Sequence, residues 1–274
     1  MKLYISIDLE GISGVFWWGD EKEDAKRMTR DLNIVIQTLK QDDIWHDIEA
    51  ILVSDSHGMG RNLKIGDMEP EKTFLISGSS RVDYMVEGLD ASFTAAMFLG
   101  YHAASGSPQA VLDHTYSNAL VKEVRINDQV VGEMQINAYM AGYYGVPLVL
   151  LSGDNAFQQQ VAGFYDKDMP YAMVKYGISK DAAVLLPEKK SEAALVQATR
   201  SAITLLKQGG QKRYLKQPDT PVTFTVTFKD SKQAYTATVL PGVELTQGTT
   251  VSFTSQDYRD AFRLFEALVV LARG

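Results

Sequence analysis

Short apolar segments that lack strict alternation are the feature that most limits how this chain can fold. The first, KLYISI at residues 2–7, ends abruptly at Asp8. Such a segment is typical of a strand covered on both faces, as in a parallel sheet. Further strand-like segments lie at 49–58, 72–78, 94–103, 147–152 and 171–175, and segments with helical spacing lie at 21–40, 133–144, 154–162 and 188–207. The alternation predicts an α/β fold, with a mostly parallel sheet flanked by helices.

The composition changes near residues 208–220, which form a linker-like segment rich in Gly, Gln and Pro. After it, PVTFTVTFKD alternates strictly, as a half-buried strand does, and we expect further strands in AYTATVL (234–240) and TTVSFTS (249–255). An amphipathic helix closes the chain. The sequence therefore predicts an α/β domain over 1–210 and a smaller α+β domain over 216–274. A hairpin is also predicted over 123–133, with Asn127-Asp128 as its turn.

Composition excludes several classes of function. With 27 basic against 34 acidic residues and a net charge of −7, the chain has no basic footprint for nucleic acid. The absence of cysteine excludes thiol catalysis, disulfide scaffolds and Cys-type zinc sites. No segment resembles a signal peptide or a membrane span, so we expect a cytoplasmic protein with no membrane partner. The motifs H-E-x-x-H, G-x-S-x-G, G-x-G-x-x-G and the Walker loop are also absent from the sequence.

Polar residues follow several of the predicted strands, at the edge where open α/β sheets bind ligands. They are Asp8 and Glu10 after the first strand, His57 after the second, His102 after the strand at 94–103, His114 in a later loop, and Glu133 at the end of the hairpin. These positions include three of the four histidines. The fourth, His46, stands beside Trp45 and is interpreted as a surface residue.

Each of these residues has a plain structural explanation when it is taken alone. Asp8 and Glu10 point to the same face of an extended segment, where two carboxylates repel unless a cation or a proton lies between them. They can equally be solvated acids, Glu133 can serve the first turn of a helix, and the histidines can be ordinary loop or core residues. Taken together, carboxylates and imidazoles match a hydrolytic site with two metal ions. His114 is then the candidate general base.

Several segments resemble the zinc D-aminopeptidases of the DppA type, in the same order along nearly the whole chain. They are KLYISIDLEGISG (2–14), SDSHGMGRNL (54–63), MVEGLD (85–90), MFLGYHA (97–103), VLDHT (111–115), VGEMQINAYMAGYYGVPLVLLSGD (131–154) and VKYGISKDAAVLLP (174–187). The S-x-D-x-E-G opening and the D-S-H-G loop are specific as part of this set. The segment after about residue 216 matches only in its order of strands and helix.

The resemblance implies a role for each candidate residue. Asp8 is expected to bridge two zinc ions, with Glu10 and His57 completing one site and His102 and Glu133 the other. His114 falls on the family's catalytic histidine. The resemblance also implies a ten-subunit double ring that encloses the active sites. Residues 15–24, which contain Trp17 and Trp18, depart from the family's usual sequence. That pair is interpreted as a packing or interface element, with a substrate platform as the alternative.

The function predicted from the sequence is a metallo-aminopeptidase that acts on short peptides, with a D-amino acid at the N-terminus. Its cofactors are two zinc ions per subunit, although manganese and cobalt also suit ligands of this kind. The sequence assigns no residue to substrate binding. Two alternatives stay open: a related acyl or carbamoyl amidase that uses the same site, and a metal-binding assembly protein without enzymatic activity.

Overall fold

Twelve strands and six α-helices make up the part of the chain that the computed structural model describes, residues 1–273. The strands are β1 (Lys2–Ile7), β2 (Ala50–Asp55), β3 (Thr73–Ile76), β4 (Ala95–Leu99), β5 (Val121–Ile126), β6 (Gln129–Val131), β7 (Leu148–Asp154), β8 (Tyr171–Ser179), β9 (Ala182–Leu185), β10 (Val222–Phe228), β11 (Glu244–Gln247) and β12 (Thr250–Ser255). The helices are α1 (Glu21–Lys40), α2 (Glu133–Tyr143), α3 (Asn155–Phe164), α4 (Glu188–Lys207), α5 (Ser231–Ala237) and α6 (Tyr258–Leu271).

The central sheet has the strand order β3-β2-β1-β4-β7-β8-β9. Its pairs are parallel except for the one between β8 and β9. Strands β4 and β7 are buried along their whole length, because a separate apolar core covers each face of the sheet. Leu3 and Ile5 of β1 pack with α1 and α4, whereas Tyr4 packs with the core on the other face. The predicted parallel α/β fold is confirmed.

A second, antiparallel sheet has the order β11-β12-β10-β5-β6. Strand β10 shows the strict burial alternation that its sequence predicts. The predicted hairpin supplies β5 and β6, and its turn residues Asn127 and Asp128 have φ angles of 47° and 66°, as a tight hairpin turn requires. This sheet therefore combines strands from both sides of residues 210–216, and the division into two domains stays a prediction.

The prediction of a strand over AYTATVL is wrong, since most of this segment belongs to α5. Aromatic and β-branched residues favour a strand here, but a capping box at Asp230 decides the local structure. The Asp230 carboxylate accepts from the backbone N–H of Lys232 at 2.7 Å, and the Gln233 side-chain oxygen accepts from the Asp230 N–H at 3.1 Å.

Strands β9 and β11 were not predicted from the sequence. None of the described helices combines the length and the apolar character that crossing a bilayer requires.

Candidate metal centre

The candidate site lies at the carboxyl edge of the central sheet, where β1, β2 and β4 end level with one another. In the strand register, Ile7 pairs with Asp55 of β2 and with Leu99 of β4. The loops that leave these strands therefore start side by side. They carry Asp8 and Glu10, then His57, then His102, while Glu133 is the first residue of α2 and His114 lies in the loop before β5. The structure brings all six predicted residues into one cluster.

Asp8 lies at the centre of this cluster. One of its carboxylate oxygens, Oδ1, is 3.3 Å from His57 Nδ1, and the other, Oδ2, is 3.4 Å from His102 Nε2. Glu10 Oε2 approaches the same His57 nitrogen at 3.0 Å, and Glu133 Oε2 approaches His102 Nε2 at 3.3 Å. The cluster thus has two halves that share Asp8, one with Glu10 and His57 and the other with His102 and Glu133.

His114 completes the second half of the cluster. Its Nε2 is 3.6 Å from Glu133 Oε1, and its ring stacks on that of His102 at a centroid distance of 4.2 Å. The Nδ1 atoms of His102 and His114 donate to the carbonyl oxygens of Ala103 and Leu112 at 3.0 and 2.9 Å. These bonds turn the Nε2 atom of each ring toward the carboxylates, as the outer hydrogen bonds of metal-binding histidines do.

The donor atoms fit a bound cation. Asp8 and His102 are buried, and their Oδ2 and Nε2 atoms make no hydrogen bond within the described residues. Buried polar atoms without a hydrogen-bond partner are energetically costly, and a bound ion is one way to satisfy them. Three carboxylates beside three imidazoles provide the oxygen and nitrogen ligands that zinc accepts. Two groups of donor atoms are compact enough to hold an ion: Asp8 with Glu10 and His102, and His102 with His114 and Glu133.

The carboxylates and imidazoles of the cluster shift one another's pKa values. Burial and the nearby Glu10 carboxylate raise the pKa of Asp8 to about 7. Burial disfavours a charged His57, but the Glu10 and Asp8 carboxylates outweigh it and raise the pKa of His57 to about 11. In the same way, Glu133 outweighs burial and raises the pKa of His102 to about 10. Bound cations would replace these imidazole protons, because metal ligands must be deprotonated.

His114 differs from the other two histidines because burial and the adjacent His102 lower its pKa. It therefore stays neutral near pH 7, with a proton on Nδ1 and an electron pair on Nε2. A neutral imidazole with its free nitrogen aimed into the site can accept a proton. His46, the histidine that was not assigned to the site, is exposed in a short 3-10 turn at Asp43–Asp47.

Lys175 is a supporting residue that the sequence reasoning missed. It is fully buried in β8, and its ammonium group donates to the carbonyl oxygens of Glu10, Ile12 and Val15 at 2.5, 2.9 and 2.5 Å. These three bonds fix the loop that presents Asp8 and Glu10. A lysine inside the strand-like segment YAMVKYG was a signal that could have been followed, since lysine is almost never fully buried without partners.

The Trp17-Trp18 segment also reaches the site. Trp18 Nε1 donates to Glu10 Oε1 at 2.8 Å, and the Trp18 ring meets His114 edge-on at a centroid distance of 5.7 Å. Lys180 Nζ lies 5.8 Å from the centre of the same ring. The interpretation of Trp18 as a packing element is therefore incomplete, since its polar atom bonds a candidate metal ligand.

Comparisons with known proteins identify the family of this chain. A family model described as D-aminopeptidase, of the M55 peptidases, matches residues 1–267. A D-aminopeptidase from Bacillus subtilis (strain 168) is 35% identical over 280 residues, which cover 99% of this chain and 98% of the relative. The solved structure of the Zn-dependent D-aminopeptidase DppA from Bacillus subtilis, a self-compartmentalizing protease, superposes with a TM-score of 0.90 at 33% identity, covering 100% of this chain and 98% of that one. The chain therefore belongs to the D-aminopeptidase family of the M55 peptidases.

Proposed function

We propose that this protein is a zinc-dependent aminopeptidase that removes an N-terminal D-amino acid from short peptides. One observation carries the proposal: three carboxylates and three imidazoles converge at the carboxyl edge of the sheet, with buried atoms of Asp8 and His102 left without partners. The family supplies the reaction class, since the matched family model and a relative aligned over nearly the whole chain are D-aminopeptidases.

We assign two zinc ions to the cluster, with Asp8 as the ligand shared by both. The support is that its two carboxylate oxygens face opposite halves of the cluster, one toward His57 and the other toward His102. Glu10 and His57 would complete one zinc site, and His102 and Glu133 the other. The Tyr116 backbone N–H donates to Glu133 Oε1 at 2.7 Å, which leaves Glu133 Oε2 as the oxygen directed at His102.

A bound zinc ion polarises a carbonyl oxygen and lowers the pKa of water, which is the chemistry that peptide hydrolysis needs. The chain's own contribution is to position the peptide and to move a proton. His114 Nε2 accepts the proton from the attacking water, while its Nδ1–H stays bonded to the Leu112 carbonyl oxygen. The same nitrogen then returns the proton to the amine that leaves. A cavity of about 200 Å³ gives room for a substrate at this point, and its lining includes Asp8, Glu10, His57, His114 and Glu133.

The assembly and location belong to the same proposal. The related DppA structure is that of a self-compartmentalizing protease. We propose that this chain likewise forms a closed homo-oligomer, the ten-subunit double ring that its resemblance implies, in the cytoplasm. Such an enclosure would admit short or unfolded peptides and exclude folded proteins.

A release assay on paired peptides tests the activity. The panel contains dipeptides and tripeptides with D- or L-residues at the N-terminus, each with a free or an acetylated amine, and zinc content is measured in parallel. We expect hydrolysis of free D-peptides alone. Cleavage of acetylated peptides would instead favour the amidase alternative. Full zinc binding with no hydrolysis of any peptide would favour the assembly protein.

A further inference from the structure

The loop between β1 and α1 places one of two adjacent indoles against a candidate metal ligand. Trp18 donates its Nε1–H to Glu10 Oε1 at 2.8 Å, whereas the other oxygen of the same carboxylate, Oε2, faces His57 Nδ1 at 3.0 Å. Glu10 is buried, so the indole N–H satisfies a carboxylate oxygen that has little access to water. The carboxylate is therefore held at both oxygens, and only one of them is directed at the cluster.

The position of Trp18 is itself fixed from several sides. Its ring meets the edge of His114, and Lys180 Nζ lies 5.8 Å from the ring centre. Lys180 also binds the Asp113 carboxylate at 3.2 Å, next to His114 in the chain. The Lys175 ammonium group holds the start of the loop through the Glu10 and Val15 carbonyl oxygens. The indole is thus one part of a connected set of contacts around the site.

We propose that Trp18 is a positioning residue for the metal centre. Its indole N–H orients the Glu10 carboxylate so that one oxygen is free to bind the metal, and its ring borders His114. This inference rests on the proposed function, in which Glu10 is a zinc ligand. A neutral donor suits the task, because it satisfies the outer oxygen without adding a cation that competes with the metal. Hydrogen-bond partners of metal ligands typically contribute 10- to 100-fold in metal affinity.

The sequence offers a matched control in the neighbouring indole. Trp17 is 48% exposed against 39% for Trp18, and its ring packs over the backbone of Gly19. Trp18→Phe removes the N–H and keeps an aromatic ring beside His114, whereas Trp17→Phe makes the same chemical change one residue earlier. Zinc affinity of each purified protein is measured by competition with a chromogenic chelator.

We expect Trp18→Phe to weaken zinc binding about 10- to 100-fold, and Trp17→Phe to change it less than about threefold. In a Glu10→Ala background the further change to Phe at position 18 should have little effect, since the acceptor of the Trp18 hydrogen bond is already gone. Zinc affinity of Trp18→Phe within threefold of the wild type would overturn the proposal, as would equal losses in both tryptophan variants.

A spectroscopic readout separates positioning from a general loss of structure. The visible absorption spectrum of bound cobalt(II) depends on its ligand geometry, so it should change in Trp18→Phe and stay like that of the wild type in Trp17→Phe. The thermal midpoint of the metal-free Trp18→Phe protein should stay close to that of the wild type. A large fall in that midpoint, with zinc affinity reduced only in proportion, would assign Trp18 to folding instead. A wild type that binds no zinc would contradict the proposed function itself, before any variant is compared.

Discussion

Gly11 lies where two loops that carry site residues touch, which makes Gly11→Ala a sharp test of the structure. The Gly11 N–H donates to the Gly100 carbonyl oxygen at 2.7 Å. A Cβ atom at Gly11 would lie 2.0 Å from the Tyr101 carbonyl oxygen and 2.5 Å from the Gly100 carbonyl carbon. These neighbours are backbone atoms, so no side chain can rotate away, and the two loops must separate.

The size of the effect follows from these distances. Ordinary contact begins near 3.4 Å, so the loops that carry Glu10 and His102 must move apart by about 1.4 Å. We expect Gly11→Ala to lower the free energy of unfolding by about 2–4 kcal/mol, from overpacking and from the loss of one backbone hydrogen bond. Metal–ligand distances hold to within about 0.2 Å, and loss of ligand orientation typically costs about 10- to 100-fold in affinity, so zinc affinity should fall at least that far.

Urea unfolding of the metal-free protein and chelator competition for zinc measure the two quantities separately. Gly163→Ala is the matched control, because Gly163 is exposed in α3 and a Cβ there meets no atom within 4 Å. Alanine is the better helix former, so this control should gain up to about 1 kcal/mol. If Gly11→Ala instead kept wild-type zinc affinity and lost less than about 0.5 kcal/mol, the close approach of the two loops would be refuted.

Three further changes test His114, the contacts of Lys175 and a carboxylate on α6. His114→Ala should keep its zinc and lower kcat about 10²- to 10⁴-fold, as loss of a general base does; loss of zinc from this variant would make His114 a ligand instead. Lys175→Met should lower the free energy of unfolding by about 2 kcal/mol or more, measured by urea at pH 7, because the Glu10 and Val15 carbonyl oxygens lose their buried donor; unchanged stability would contradict that role. Burial and the Glu133 charge raise the pKa of Glu266 to about 8, above its value in the unfolded chain. Between about pH 4.5 and 8 the folded state therefore holds a proton that the unfolded state has lost, and the wild type loses stability as the pH rises through this range. Glu266→Gln should remove that loss, so its thermal midpoint relative to the wild type should rise across this range; parallel pH profiles would refute the raised pKa of Glu266.

The parts of the fold that sequence predicted well are those where one physical signal dominates. Apolar segments without alternation identified β1 and β4, and strict alternation identified β10. The segment at 234–240 failed because aromatic and β-branched residues favour a strand, while a cap four residues earlier starts a helix. Local composition here predicts a strand, whereas the cap predicts a helix. The burial of Ala234 and Ala237 in the core supports the helix.

The site residues that could be predicted are likewise those with one clear signal in the sequence. Asp8, His57 and His102 follow strands that end at one sheet edge, so the order of strands and loops suffices to bring them together. Lys175 and Trp18 act through atoms whose partners depend on how a loop crosses the edge of the sheet. No spacing in the sequence relates Lys175 to a carbonyl oxygen 165 residues away, or relates the Trp18 indole to Glu10 rather than to solvent. Site residues that directly follow strands can therefore be predicted from the sequence. The residues that hold them in place can be identified only once the structure of the loop is known. The proposed contribution of Trp18 to zinc affinity accordingly follows from its hydrogen bond to Glu10 in the folded loop and not from the sequence.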